Sequence, residues 1–590
     1  MNFGADVIGD AVRFRLWAPK ESHVSVVLDG SIELAMRNVG DGWHELVTSQ
    51  ARPGTLYGFR LGSSRVEVPD PASRFQPGDV HGPSEVIDPN GYQWRGPQWR
   101  GRPWEQCVLY ELHLGAFTPE GTFRSAAARL DYLAELGVTA IEIMPVADFP
   151  GRRNWGYDGV LLYAPDSSYG RPEDFKALVD AAHARNIMVF LDVVYNHFGP
   201  DGNYLAAYSP IFNDRHQTPW GAAVNYDAEG SAVVREFVIR NAVYWIEQFR
   251  LDGLRLDAVH AIKDDSDSHL LEDIAARIRR LPLGRPVHLL LENEENQASR
   301  LVRNADGEPR HYTAQWNDDV HHVLHCAASG ETAGYYAAYH GDTAKLGRAL
   351  AEGFAYQGEQ MDYRGSARGE PSAHLPPGAF VSFIQNHDQV GNRAFGDRIT
   401  AFAPETAVRA IAAVYLLAPQ IPMLFMGEEF AAAQPFPFFC DFEPGLAKLV
   451  REGRRNEFAG FPEFQDPHKR ELIPDPTAEA TFLSAKLDWA AAEAPGHASW
   501  FALYRELLAI RHREIVPRLK GAGSGRFDVI RPGTLSVSWP MGDGARLSLL
   551  ANLTSGPLIN AALPGGRRLW ASGLDDASLG AWAVLWVVQQ

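Results

Sequence analysis

Cysteine is scarce in this chain. Among 590 residues there are three, Cys107, Cys326 and Cys440. Their spacing fits neither a disulfide framework nor a zinc site, and points to free thiols in a reducing compartment. The first residues, Met1 to Phe14, carry Asp6 and Asp10 and lack a basic start followed by an apolar run, so no signal peptide is read there. Long apolar runs are also missing. The longest uncharged run, Ala410 to Gly427, is interrupted by Pro419, Gln420 and Pro422. It reads as a buried helix followed by a strand, not as a membrane span. Clusters of Lys and Arg are absent, and 73 acidic against 55 basic residues leave a net charge of −18. That balance argues against nucleic acid or an anionic membrane as partner. A cytoplasmic protein is expected.

What is present is a large apolar fraction, 45% of the chain, with 15 Trp, 20 Tyr and 30 Phe. The length predicts more than one domain. Residues 1–95 alternate in short runs (Val12 to Trp17, Val24 to Leu28) separated by Asp29-Gly30, Asp41-Gly42 and Pro53-Gly54. This predicts an N-terminal β-sandwich. Over 96–515 short apolar strands alternate with amphipathic helices. The strands are Val108 to Leu112, Ala140 to Met144, Met188 to Val193, Gly253 to Asp257, Val287 to Leu291, Tyr312 to Gln315, Phe380 to Gln385 and Met423 to Met426. The helices between them include Ser125 to Leu136, Pro172 to Arg185, Ala232 to Phe249 and Thr406 to Leu417. About eight β-then-α units predict an α/β fold, a (β/α)₈ TIM barrel with its active site at the C-terminal strand ends. Residues 516–590 return to alternation and predict a C-terminal β-sandwich.

Carboxylates gather where the barrel places chemistry. Asp192, Asp257, Glu292 and Asp388 fall at or just past strand ends, in runs that are otherwise apolar. In Gly253-Leu254-Arg255-Leu256-Asp257, alternation puts Arg255 and Asp257 on one face. A fixed cation beside a carboxylate favours its ionised form, as a nucleophile requires. After the fifth strand the chain reads Leu291-Glu292-Asn293-Glu294-Glu295. Glu292 is the first polar residue past the strand and the first choice as an acid. Glu294 shares its side-chain parity and stays open as the alternative, and Glu295 reads as structural.

Asp192 to His197, Gly253 to His260, the Glu292 strand end and Gln385-Asn386-His387-Asp388 resemble, in order, the four signature segments of the α-amylase superfamily of glycoside hydrolases. Within it, the details resemble the malto-oligosyltrehalose trehalohydrolase family. They are Tyr110 to Gly115, Thr118 to Phe123, His260-Ala261-Ile262, Gln315 to His322 and Asn386 to Arg393. Glycogen branching enzymes share the Trp155-Gly156-Tyr157 and Tyr169-Gly170 context, but typically carry Ser-His-Asp-Glu where this chain has Asn386 to Gln389. A branching transglycosylase is the alternative reading.

The resemblance implies a retaining mechanism with Asp257 as nucleophile, Glu292 as acid and base, and Asp388 gripping hydroxyls of the distorted sugar ring. It implies hydrogen bonds from His197 and His387 to the glucose being cleaved, a stacking role for Tyr157 and supporting roles for Asp192, Asn196 and Arg255. It also implies that His260, Asn317, Asp318, Asp319, His321, Gln389 and Asn392 line the trehalose side. The expected substrates are malto-oligosyltrehalose and related α-1,4-glucans. A synthase that makes the capped chain is the expected functional partner. No cofactor is expected, and no metal ligand set can be built; Asp201 and Asn203 are the raw material.

Overall fold

Eight short apolar runs pair in parallel and close on themselves. In the computed structural model, which describes residues 3–96, 98–575 and 578–590, they are β1 (Leu109–Leu112), β2 (Ala140–Ile143), β3 (Met188–Val193), β4 (Gly253–Leu256), β5 (His288–Leu291), β6 (Ala314–Trp316), β7 (Phe380–Ser382) and β8 (Ile421–Phe425). They pair in chain order, and β8 returns to β1 with Met423 opposite Leu109. The strands are buried on both faces, so each reads as a nearly unbroken apolar run. One set of side chains fills the barrel: Leu109, Ala140, Met188, Phe190, Leu290, Trp316, Val381 and Met423 form one buried cluster. Gly253 belongs to the same packing. A Cβ there would lie 2.2 Å from Cε1 of Phe190, so the ring occupies the space a larger residue would need.

Helices cover the outside. Pro172–His183 starts with Pro at its first turn, which costs no hydrogen bond there. Its Phe175, Leu178, Val179 and Ala182 are buried. Ser231–Gln248 and Glu405–Leu417 lie where the periodicity predicts them. The single helix expected over 125–136 is two, Phe123–Ala127 and Leu130–Leu136. Thr122 and Ser125 form a capping box on the first. Gly137, at φ 102°, ends the second in a left-handed turn that other residues resist.

β7 is shorter than expected. The segment after it bends into the helix His387–Gly391, capped by Asn386, whose Oδ1 accepts from the Gln389 N–H at 2.8 Å. This cap sets Asp388 in the first turn at the barrel mouth.

The N-terminal strands form a four-stranded sheet (Gly4–Ile8, Ala11–Trp17, Trp43–Thr48, Arg37–Gly40) and a five-stranded sheet containing Val24–Leu28 and Leu56–Leu61. Phe14 from one and Tyr57 from the other meet with ring centroids 4.9 Å apart. The C-terminal strands, Arg526–Arg531 to Ser578–Gln589, are linked in one antiparallel sheet. It anchors to the barrel through Trp586, whose indole N–H donates to the Ala413 carbonyl at 3.0 Å. Cys107, Cys326 and Cys440 are buried free thiols. Among the described residues, no helix is long and apolar enough to cross a membrane.

Candidate active site

Arg255 is the hub of the barrel mouth. It points inward from β4, fully buried, with its guanidinium 4.1 Å over the Trp316 ring. Its Nη1 donates to Asp257 Oδ1 and to Asp192 Oδ2, each at 2.7 Å. Asp192 is in reach because it is the register partner of Arg255 on β3. Nη2 lies 3.7 Å from Glu292 Oε2. One cation thus faces carboxylates from three neighbouring strands. Burial raises Asp192 to about 6, against the pull of Arg255.

Asp257 also accepts from Asn196 Nδ2 at 2.8 Å. Directly after it the backbone is strained: Ala258 is left-handed at φ 39°. That turn aims two N–H groups at the next strand end. Ala258 N–H donates to Glu292 Oε2 at 2.5 Å, and Val259 N–H to the Glu292 carbonyl at 3.0 Å. Glu292 Oε1 takes part in neither bond. Burial pushes the Glu292 carboxyl well above the usual range. Asp257, Asp318 and Asp388 add to this and Arg255 opposes it. Glu294 differs. Its side chain is 54% exposed and faces His260, with Nε2 at 3.6 Å. Glu295 pairs with Arg364 at 2.6 Å.

Asp388 stands more open, its side chain 41% exposed, with Asn392 Nδ2 donating to Oδ1 at 3.2 Å. His387 lies beneath it. Its Nε2 is 3.4 Å from Asp388 Oδ2, and its Nδ1 meets Glu111 Oε1 at 2.5 Å. Burial alone would lower its pKa, but Asp388 and Glu111 outweigh that and raise it to about 9. Tyr157 stacks on the His387 ring at 5.0 Å and donates to Asp192 Oδ2 at 2.6 Å.

A family described as "Alpha amylase, catalytic domain" matches residues 73–215, and one described as "Domain of unknown function (DUF3459)" matches 522–586. A malto-oligosyltrehalose trehalohydrolase from Deinococcus radiodurans is 44% identical over 511 residues, 86% of this chain and 82% of its own length. The chain belongs to the malto-oligosyltrehalose trehalohydrolase family. A crystal structure of a Salmonella typhimurium protein described as an alpha amylase matches it with a TM-score of 0.95 and 47% identity, covering 100% of this chain and 99% of that one. A 1,4-alpha-glucan branching enzyme GlgB from Jannaschia matches less, 34% identical over 43% of this chain and 40% of its own.

The residues expected to line the trehalose side of this family's site fall into two groups. Asp318, Gln389, His260 and Asn392 gather near the carboxylates. Gln389 Nε2 lies 3.5 Å from Asp318 Oδ1, and Gln389 Oε1 accepts from Tyr335 at 3.2 Å. Burial raises Asp318 to about 7, with Asp319, Asp388 and Glu294 adding and Arg368 opposing.

Asn317, Asp319 and His321 do not line it. Asn317 donates to the Gly353 carbonyl at 2.7 Å. Asp319 is enclosed by Arg368, Tyr339 and the Ala355 N–H. His321 meets the Ile384 carbonyl at 2.8 Å and the Tyr336 hydroxyl at 3.0 Å. The reason is geometric. Asn317 stands at the N-terminus of the helix Asp318–Ser329, Asp319 turns by roughly 100° from Asp318, and His321, one turn on, is taken up by the Ile384 carbonyl and Tyr336.

His197 also departs from expectation. Its Nδ1 meets Asn196 Oδ1 and its Nε2 the Tyr157 carbonyl, so neither nitrogen is free for a hydroxyl. Its ring is covered by Trp220, stacked at 4.5 Å.

Two residues near the site escaped the sequence reading. Trp220 is a half-exposed aromatic in the turn between the paired strands Phe212–Thr218 and Gly221–Val224. Glu111 is a carboxylate in the middle of an apolar strand. Both were visible as exceptions to their surroundings. Among the described residues, His216, Asp227 and Asp265 have metal-ligand spacing, but Arg215 already lies 3.9 and 3.8 Å from the two aspartates.

Proposed function

We propose that this chain is a retaining glycoside hydrolase that cleaves the α-1,4 bond next to the terminal α,α-trehalose of malto-oligosyltrehalose. Trehalose leaves, and a shortened malto-oligosaccharide remains. The observation that carries the reading is the Arg255 clamp. It holds Asp257 Oδ1 at 2.7 Å beside a buried Glu292 whose carboxyl burial favours in the protonated form.

In the first step Asp257 attacks the anomeric carbon. The bond to the trehalose oxygen breaks, and that oxygen takes the Glu292 proton. In the second step Glu292, now a carboxylate, removes a proton from water. The hydroxide adds to the anomeric carbon and releases Asp257. Asp388 would bind hydroxyls of the distorted ring and stabilise the oxocarbenium-like transition state. Arg255 stays in place throughout, so its charge needs no reorganisation as the reaction proceeds. Asp318, Gln389, His260 and Asn392 would bind the trehalose end, where unpaired polar groups would penalise a different leaving group. Three buried free thiols fit a reducing, cytoplasmic location. Functional pairing with a synthase that caps malto-oligosaccharides follows from the substrate.

The test is a product assay on maltotriosyl-trehalose, maltopentaose and amylose. Fast release of trehalose from the first, with slow action on the others, is expected. A branched polymer from amylose with the capped substrate untouched would move the reading to a branching transglycosylase.

A further inference from the structure

Two carboxyl side chains lie inside the barrel below the reacting groups. Glu111 on β1 and Glu142 on β2 are register partners, each 1% exposed. Their surroundings differ. Glu111 accepts two N–H groups from one residue: the His387 main chain donates to Oε2 at 3.0 Å, and the ring Nδ1 meets Oε1 at 2.5 Å. Neither oxygen of Glu142 has a hydrogen-bond partner among the described residues. Two adjacent carboxyls in an apolar interior do not both ionise. The one that receives donors bonds best as a carboxylate, and the other is kept neutral by burial, which pushes Glu142 well above the usual range.

His387 therefore sits between two carboxylates, Glu111 below and Asp388 above. Its ring is fixed by Tyr157 on one side and by Trp155, edge-on at 5.5 Å. The charged and titratable groups around it are Glu111 and Glu142 from the first two strands, Asp192 from the third, Arg255 from the fourth, Asp388 beside it, and His113 past β1. Nδ1 is hydrogen-bonded to Glu111 and Nε2 stands at ion-pair distance from Asp388, 3.4 Å, and an imidazole facing a carboxylate at each nitrogen is matched best when both nitrogens carry protons.

We propose that Glu111 is a positioning residue that holds His387 as an imidazolium, with Nδ1–H into the barrel and Nε2–H toward Asp388 and the sugar hydroxyls. The inference rests on the hydrolase reading above. Glu111 touches no substrate. It fixes the ring plane through two hydrogen bonds and keeps an Nε2–H directed at Asp388 and the sugar hydroxyls, which orients the carboxylate that faces the developing positive charge.

Glu111→Gln separates charge from shape. The amide can still make both hydrogen bonds, with its oxygen on the His387 main-chain N–H and its NH₂ on Nδ1. The ring is then neutral. With ¹³Cε1-labelled histidine, and His387→Gln to assign the signal, the wild-type His387 resonance should hold the imidazolium position from pH 6 to pH 8. In Glu111→Gln it should hold the neutral position. kcat on maltotriosyl-trehalose should fall by about tenfold or more, with KM changed less than about twofold. Glu111→Asp, which restores the charge, should recover part of kcat.

A neutral His387 in the wild type at pH 7 overturns the proposal, as does a Glu111→Gln enzyme with full kcat. Should Glu111→Gln fail to fold, the wild-type titration alone decides. Should the wild type release no trehalose, the hydrolase reading fails, while the resonance still reports the ring's charge.

Discussion

Nη1 of Arg255 lies 2.7 Å from Oδ1 of Asp257, two residues further along the same strand direction. Alternation makes this contact local, since residues i and i+2 share a strand face. The same atom reaches Asp192 on the adjacent strand at 2.7 Å. The barrel thus converts a two-residue spacing into a shared hydrogen bond between two strand ends, and the candidate chemistry is arranged around it.

Arg255→Lys should fail to replace this arrangement. An ammonium is a point charge on a flexible stem, without the planar fork or the stacking on Trp316. kcat should fall by about 100-fold or more, the scale of losing a fixed electrostatic donor. Arg255→Met leaves buried carboxylates without their cation and should lower unfolding free energy by about 3–5 kcal/mol. Urea unfolding measures the second, and steady-state kinetics the first. Near-normal kcat in Arg255→Lys would remove the clamp from the account.

Glu292→Gln should reduce hydrolysis of maltotriosyl-trehalose by about 1,000-fold or more, because a poor leaving group needs the proton. α-Maltosyl fluoride needs none, so its first step should be much less affected. The pH profile gives a second check. Glu292 must be protonated to act, and burial raises its pKa. Activity should therefore fall as pH rises through that raised value, and this alkaline limb should be missing from Glu292→Gln with the fluoride. Equal losses on both substrates would contradict the acid role.

Glu294→Gln should change kcat less than about threefold, as is usual for an exposed side chain away from the reacting atoms. Its 3.6 Å approach to His260 places any effect on KM for the capped substrate. A thousandfold loss of kcat here would transfer the acid role from Glu292.

Glu142→Gln should stabilise the fold, and more so as pH rises. The folded pKa of Glu142 is raised by burial and by Glu111 above the ordinary 4.5. The folded state then binds a proton that the unfolded chain releases above 4.5. Its contribution is most favourable below 4.5 and is lost as pH climbs toward the folded value. Glutamine has no such loss. Urea unfolding at pH 5 and pH 8 should show a wider gap between variant and wild type at pH 8. A gap that narrows with pH would mean that Glu142 is ionised in the folded protein.

The sequence carried the barrel well because its strands are buried on both faces. Each of the eight is a largely apolar run, and the places of Asp192, Asp257 and Glu292 could be read from parity and strand ends. Choosing between Glu292 and Glu294 needed burial, which the chain does not print. The trehalose side was read less well. Asp318, Asp319 and His321 lie close in sequence, but Asp319 is taken up by Arg368 and Tyr339 and His321 by the Ile384 carbonyl and Tyr336, partners that lie far along the chain or on another segment. Glu111 was missed because its meaning depends on a partner 276 residues later. His197 looked available for a sugar, but neighbouring backbone and Asn196 engage its ring.

The most direct measurement traps the covalent step. Glu292→Gln is incubated with α-maltosyl fluoride, whose first step needs no acid, and the intact protein is then weighed and digested. The account predicts a mass increase of one maltosyl group, on the peptide containing Asp257, and none in Asp257→Asn. An adduct on another carboxylate, or release of product of inverted anomeric configuration with no adduct formed, would contradict it.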